Sequence, residues 1–316
     1  VKQGGGMPCI LFQSETDDPA PWREALTRAL PGLDFRVWPR AGRLDEIGYA
    51  LVWKPPPGML RGLPRLKAIL SLGAGVDHIF SDPQLPPGVS ITRMVDAGLA
   101  VQMTEYALYG LLHFHRYMHR YAEQQRAGEW RQLPAVTPQA RTVGVMGLGV
   151  LGADFARKAA ALGFRVLGWS RSPRQLDGVE AYAGRDALEA FLARVEVLVN
   201  FLPLTPETRG ILDARAFARL PRGAFLINLA RGEHVVESDL LAALDSGQLG
   251  GALLDVFGAE PLPAGHPFWR HPRVAITPHI AGQAIAELMV EQVVGNIRRI
   301  ERGEAPLGLV QPERGY

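Results

Sequence analysis

The sequence predicts an α/β protein of two doubly wound, parallel-sheet domains with a cleft between them. Three observations predict it: short apolar runs alternate with helical segments in two separate series, an irregular linker intervenes, and a glycine-rich loop follows the first strand of the second series. The chain has 316 residues, 47% of them hydrophobic and 21% charged, which suits two domains of ordinary size.

The first series of strand-like runs is Cys9 to Gln13, Phe35 to Trp38, Tyr49 to Trp53, Ala68 to Leu72 and Val89 to Thr92. A long amphipathic stretch follows, Thr104 to Gly128. Ala107, Leu108, Leu111, Leu112 and Phe114 fall at helical spacing there, and Gly128 supplies a stop. It reads as one helix carrying the chain between domains. After the linker Leu133 to Pro138, six runs follow: Thr142 to Met146, Arg165 to Trp169, Val195 to Phe201, Phe225 to Asn228, Ala252 to Asp255 and Val274 to Ile276. Six parallel strands is the count of a doubly wound nucleotide-binding sheet. Ser238 reads as the N-cap of a helix. The last helix, Ile285 to Arg302, comes after that sheet is complete and is expected to return to the first domain. The expected domains are therefore residues 7–103 with 286–316, and residues 104–285. Residues 1–6, ahead of Met7, read as an expression remnant.

Composition excludes several classes. The net charge is only +2, and the arginines are dispersed, so no basic patch argues for nucleic acid. No apolar run approaches the roughly 20 residues that cross a bilayer, so no membrane role is expected. The one cysteine, Cys9, lies in an apolar run, which fits a core thiol in a reducing, cytoplasmic setting.

Gly147-Leu148-Gly149-Val150-Leu151-Gly152 follows the strand Thr142 to Met146 and opens a helix over Ala153 to Leu162. In that context GxGxxG is a dinucleotide site: Gly147 allows the tight turn, Gly149 lets backbone approach the pyrophosphate, and Gly152 lets helix and strand pack closely. The next strand ends in Trp169-Ser170-Arg171-Ser172, with Arg174 beyond, where an acidic residue would favour a free ribose 2′-hydroxyl. A guanidinium there favours a 2′-phosphate, so NADP(H) is expected over NAD(H). The other reading makes Arg171 a solvated charge in a turn.

Three further strand ends carry polar residues. Arg231 follows one strand, Asp255 and Glu260 the next, and His279 the last. An arginine, a glutamate and a histidine converging beside a nicotinamide suit reduction of a 2-keto acid. Arg231 would hold the substrate carboxylate, His279 would donate a proton to the carbonyl oxygen, and Glu260 would hold the far ring nitrogen.

These segments, the loop at Gly147 with NLARG at Asn228 to Gly232, DVFGAEPLP at Asp255 to Pro263 and TPHIAG at Thr277 to Gly282, resemble the D-isomer-specific 2-hydroxyacid dehydrogenase family. Ala50 to Pro56, Leu72 to Asp77, Trp169 to Ser172 and His234 to Glu237 are similar to its glyoxylate/hydroxypyruvate reductase A branch. The resemblance covers nearly the whole chain after Met7. It implies a Rossmann dinucleotide-binding domain, a flavodoxin-like substrate domain, reduction of glyoxylate or hydroxypyruvate, and a homodimer built on the dinucleotide domains. It further implies that the loop Gly73, Ala74, Gly75 and Val76 offers amides to the substrate carboxylate, that Leu202, Pro203 and Leu204 line the adenine side, that Leu229 and Ala230 lie by the cofactor, and that Asp255 meets the nicotinamide carboxamide. The chain departs from the family in lacking an acidic residue at Ser170-Arg171 and in carrying Gly282-Gln283-Ala284 where a threonine is common. Related readings are a dehydrogenase for a bulkier 2-keto acid and a dinucleotide-sensing binding protein.

Two features remain. Trp53 stands either over the substrate or in core or hinge packing. His115 and His119, with His113 nearby, have a spacing that could hold a metal, but no third ligand accompanies them; a solvated or interface helix face is the expectation, with no metal.

Overall fold

The computed structural model describes residues 7–96 and 98–311. The segment 1–6, read above as an expression remnant, lies outside the described residues. Two compact units result: one comprises the chain up to Leu99 together with the chain from Gln283 on, the other Ala100–Gly282.

The first unit holds β1 (Cys9–Gln13), β2 (Asp34–Val37), β3 (Tyr49–Val52), β4 (Ala68–Ser71) and β5 (Ser90–Thr92), all parallel, in the order β2-β1-β3-β4-β5. That is the flavodoxin-like order. β1, β3 and β4 are buried along their whole length, which is why they read as unbroken apolar runs rather than as alternation. The helix Pro19–Ala29 starts where Asp18 accepts the Ala20 amide and Pro19 occupies the first turn.

The second unit holds β6 (Thr142–Met146), β7 (Arg165–Ser170), β8 (Val179–Ala183), β9 (Val197–Asn200), β10 (Ala224–Asn228), β11 (Leu249–Leu254) and β12 (Val274–Ile276). Their order is β12-β11-β10-β9-β6-β7-β8, with every pairing parallel. Read from β6, this is the doubly wound nucleotide-binding order extended by one strand. Both faces are covered, and alternate residues of a strand join different clusters. Val143 and Val145 of β6, Val197 and Val199 of β9, and Phe225 and Ile227 of β10 pack on one face. Met146, Leu198 and Leu226 pack on the other.

Three expectations need correction. The sheet has seven strands where six were expected: β8 was missed because this edge strand, Val-Glu-Ala-Tyr-Ala, has no fully buried residue and carries no apolar run. The single helix over Thr104 to Gly128 is two, Leu99–His115 and Met118–Ala127, because Tyr117 adopts a left-handed conformation at φ 58°. Gly128 does end the second helix in a left-handed cap. Ser238 is not an N-cap: the helix is Glu237–Asp245, capped at Val236, and Ser238 lies inside its first turn.

Candidate active site

The glycine loop joins β6 to the helix Val150–Ala161. Gly147 has φ +95°, and a Cβ there would stand 2.9 Å from the backbone of Phe201. A Cβ at Gly152 would stand 1.9 Å from the Gly147 carbonyl oxygen, so only glycine lets this helix sit so close. Gly149 differs from both: it is exposed, nothing lies within 4 Å of its Cβ position, and it caps the helix with no side chain on the first amides. An open helix N-terminus with bare backbone fits a phosphate-bearing group. Leu148 turns away, buried against Gly168 of β7, so only its backbone faces the loop. Val150 is exposed and Leu151 half-buried.

β7 delivers Ser170 to its carboxyl end. The Ser170 hydroxyl donates to the Ser172 carbonyl at 2.8 Å, which fixes the turn and holds Arg171 exposed on it. Glu207 is an unexpected neighbour: a hydrogen bond from Thr205 and the Arg171 charge hold its carboxyl below the ordinary range. Across the β9 exit, Leu202 is buried, Pro203 and Leu204 are half-buried, and Thr208 donates to the Pro203 carbonyl at 2.7 Å.

His279 and Glu260 meet. Nδ1 of His279 lies 2.9 Å from Oε2 of Glu260, and Oε1 of Glu260 accepts the Phe257 amide at 3.1 Å. Both side chains are largely but not fully buried, 28% and 20% exposed, so a small molecule can reach them. A carboxylate only accepts, so Nδ1 carries the hydrogen of this bond, and Nε2 is the nitrogen available for proton chemistry.

Asp255 holds the histidine's turn. His279 sits at φ 56°, a conformation rare for a residue with a side chain. Its amide donates to the Asp255 carbonyl at 2.8 Å. The Asp255 carboxylate, fully buried, accepts from the Ile280 amide at 2.8 Å, the Ala281 amide at 2.9 Å and the Thr277 hydroxyl at 2.6 Å. Since Thr277 spends its proton on that carboxylate, Tyr106 donates to Thr277, 2.5 Å away; burial pushes the Tyr106 phenol up, keeping it protonated. The role implied for Asp255 was contact with a nicotinamide; the bonds seen are to the turn that aims His279.

Arg231 lies half-buried at the end of β10, its Nη1 donating to the Ala230 carbonyl at 2.7 Å. Leu229 and Ala230 before it are buried. Gly232 brings this turn to the glutamate: a Cβ there would stand 1.9 Å from the Phe257 carbonyl carbon and 2.3 Å from the Gly258 nitrogen. The Arg231 turn therefore packs backbone to backbone on the segment whose Phe257 amide binds Glu260.

In the first unit, Trp53 lies over Gly73, whose Cβ would come within 2.6 Å of its ring, and packs on His78 in a tilted arrangement, 4.3 Å between ring centroids and 54° between planes. Within the unit, Trp53 thus packs on the loop. The Ser71 hydroxyl accepts the Gly73 amide and donates to the Gly75 carbonyl, each at 3.2 Å. Val76 is buried, and Ala74 and Gly75 are half-exposed.

Of the expected solvated or interface histidine face, the solvated reading is corrected. His115 is buried against Phe164 at 4.9 Å, and His119 packs on Phe225 at 5.1 Å. They belong to different helices, so the spacing that suggested a shared face is broken at Tyr117. Among the described residues no group of three or more His, Cys, Asp or Glu could hold a metal ion. In the sequence, Asn228, His234 and Thr277 stand out only as parts of motifs, with no role of their own, and Asn200, Tyr106 and Glu207 are not singled out. For the two asparagines a signal existed: each closes an otherwise apolar strand, in Val-Leu-Val-Asn and Phe-Leu-Ile-Asn.

Residues 108–281 match the family described as D-isomer specific 2-hydroxyacid dehydrogenase, NAD binding domain. Glyoxylate/hydroxypyruvate reductase A of Serratia proteamaculans is 47% identical over 97% of this chain and 99% of its own length. The protein of that name from Yersinia enterocolitica is 44% identical over the same shares. A D-isomer specific 2-hydroxyacid dehydrogenase from Xanthobacter autotrophicus, solved with NADPH and MES, matches with TM-score 0.94 at 45% identity, over 98% of this chain and 100% of that one. The NADPH-dependent glyoxylate/hydroxypyruvate reductase of Sinorhizobium meliloti, solved with NADP and sulfate, matches with TM-score 0.91 at 41% identity over the same shares.

Proposed function

This chain belongs to the D-isomer specific 2-hydroxyacid dehydrogenase family, and from that premise we propose that it reduces glyoxylate or hydroxypyruvate to the 2-hydroxy acid with NADPH. The observation that carries the proposal is the His279–Glu260 pair at 2.9 Å, set beside the Arg231 turn by the contact at Gly232.

When bound, NADPH supplies the hydride. Arg231 binds the substrate carboxylate and polarises the carbonyl, a charge-assisted contact of about 1.5 to 3 kcal/mol. His279 delivers the proton from Nε2 to the carbonyl oxygen as the alkoxide develops. Glu260, on Nδ1, fixes the ring's orientation and leaves Nε2 to face the substrate. The amides of the Gly73 to Val76 loop are assigned to the substrate carboxylate, with Trp53 packed on that loop. Gly147 to Gly152, Leu202 to Leu204, Leu229 and Ala230 are assigned to the cofactor. Ser170, Arg171 and Ser172 are assigned to the 2′-phosphate, with NAD(H) the poorer substrate. Cytoplasmic location fits the lone buried Cys9, and among the described residues no helix is long and apolar enough to cross a membrane. A homodimer through the second unit is supported by its exposed apolar side chains Tyr109, Leu112, Met118 and Trp130.

The test is NADPH oxidation against small and bulky 2-keto acids, repeated with NADH and with Arg171→Asp. Glyoxylate and hydroxypyruvate should be preferred, and the substitution should narrow the NADPH advantage by about tenfold or more. Preference for a bulky acid would move the substrate assignment; tight NADPH binding without turnover would point to a sensing protein.

A further inference from the structure

Asn200 and Asn228 are register partners at the ends of β9 and β10, and His234 lies in the turn Gly232–His234 that follows Arg231. All three are fully buried polar side chains, a costly arrangement unless each group is paired.

The pairing has one consistent assignment. A carbonyl only accepts, so the His234 Nε2, 3.2 Å from the Pro203 oxygen, carries a hydrogen. In the neutral ring Nδ1 is then an acceptor, and Asn200 Nδ2 donates to it at 2.9 Å. The second Asn200 amide hydrogen goes to Asn228 Oδ1 at 3.0 Å, while Asn200 Oδ1 accepts the Leu202 amide at 3.1 Å. Asn228 Oδ1 also accepts the Ala230 amide at 3.3 Å, and its Nδ2 donates to the Arg231 carbonyl at 2.9 Å. Backbone groups of unambiguous polarity anchor both ends: Leu202 and Pro203 on one side, Ala230 and Arg231 on the other. No amide can flip and no histidine proton can move to Nδ1 without setting donor against donor.

We propose that His234, Asn200 and Asn228 act as one positioning unit, which fixes the Arg231 turn relative to the Leu202–Pro203 turn and so sets the aim of the guanidinium on the substrate carboxylate. None of the three touches substrate. The proposal rests on the reading of Arg231 as the carboxylate-binding residue. Buried networks that are fully satisfied rigidify what they join, and because their bonds are mutually dependent, breaking one member loosens the rest.

The experiment measures glyoxylate KM, kcat, the NADPH dissociation constant and the melting temperature for His234→Leu, Asn200→Leu, the double variant and Arg231→Ala. A second, isosteric substitution, Asn228→Asp, guards against misfolding; it turns the one donor facing the Arg231 carbonyl into an acceptor. Expected for each single network variant is a rise of about tenfold in glyoxylate KM with kcat lowered by less, and for the double variant a rise no larger than for either single. Asn228→Asp should raise glyoxylate KM while leaving the NADPH dissociation constant within about twofold. Additive effects in the double variant, or lowered melting temperatures with KM unchanged, would reduce the cluster to core packing and overturn the proposal. If Arg231→Ala itself leaves glyoxylate KM unchanged, the assignment of Arg231 fails instead, a result separable from the first.

Discussion

At the carboxyl ends of β9 and β10 stand Asn200 and Asn228, just past β11 stands Asp255, and each is buried, hydrogen-bonded both to backbone of a neighbouring turn and to another polar side chain. At the ends of β1, β3 and β4 in the other unit stand Gln13, Val52 and Ser71. Gln13 Oε1 has no hydrogen-bond partner among the described residues, and Ser71 serves only its own loop. The first unit shapes its loop by the packing of Trp53 on Gly73 and His78 together with local bonds, those of Ser71 and that of the Met94 amide to the Gly73 carbonyl at 2.9 Å. Two sheets of related design thus treat their functional edge differently. Hydrogen bonds have direction and fix orientation closely, which proton transfer requires; packing fixes volume and tolerates adjustment, which suffices for a loop that presents backbone.

The largest expected effect tests the wired edge directly. His279→Ala should lower kcat by on the order of 10² to 10⁴-fold with NADPH binding retained, as read by cofactor fluorescence titration. Near-normal turnover would remove His279 from the chemistry.

Acid should separate the two units. Burial, with the His113 charge adding, pushes His119 down from 6.5 to about 4, so its neutral form is favoured by the folded second unit. That contribution is complete above pH 6.5 and is lost as pH falls toward 4. Asp34 in the first unit runs the other way: the Arg36 guanidinium holds its carboxyl below 3.8, so its contribution persists above that value and disappears only at lower pH. Denaturant midpoints at pH 7 and pH 5 should show the second unit weakening, and His119→Phe should flatten the dependence. Equal midpoints at both pH values would count against the role given to His119.

Asp255→Asn sharpens the contrast within the wired edge. One oxygen becomes a donor facing a donor, and the turn at His279 loosens, lowering kcat about 10- to 100-fold. A change in NADPH affinity with kcat intact would instead favour the cofactor contact implied for Asp255.

The smallest effect belongs to the packed edge. Gly73→Ala places a methyl against the Trp53 ring and should raise glyoxylate KM by about tenfold or less, with kcat little changed. An effect as large as that of His279→Ala would erase the distinction between the two edges.

Much of this was legible before any coordinates. The central strands are buried on both faces and so appear as runs such as Thr-Val-Gly-Val-Met, and the glycine loop announces itself by its position between strand and helix. β8 was illegible because an edge strand with no fully buried residue lacks an apolar run and looks like a loop. The break at Tyr117 was illegible because the residues on both sides keep helical composition.

By itself, then, the sequence determined the central strands, where the phosphate loop lies, and that Arg231, Glu260 and His279 follow strand ends, because these follow from local periodicity and from residues adjacent in the chain. The tertiary structure alone decided what Asp255 holds, that Gly232 seats the arginine turn on the glutamate's segment, and that Asn200, Asn228 and His234 form one network. Those are contacts across 22 to 34 positions, set by which strands become neighbours, and hydrogen-bond direction exists only once both partners are in place.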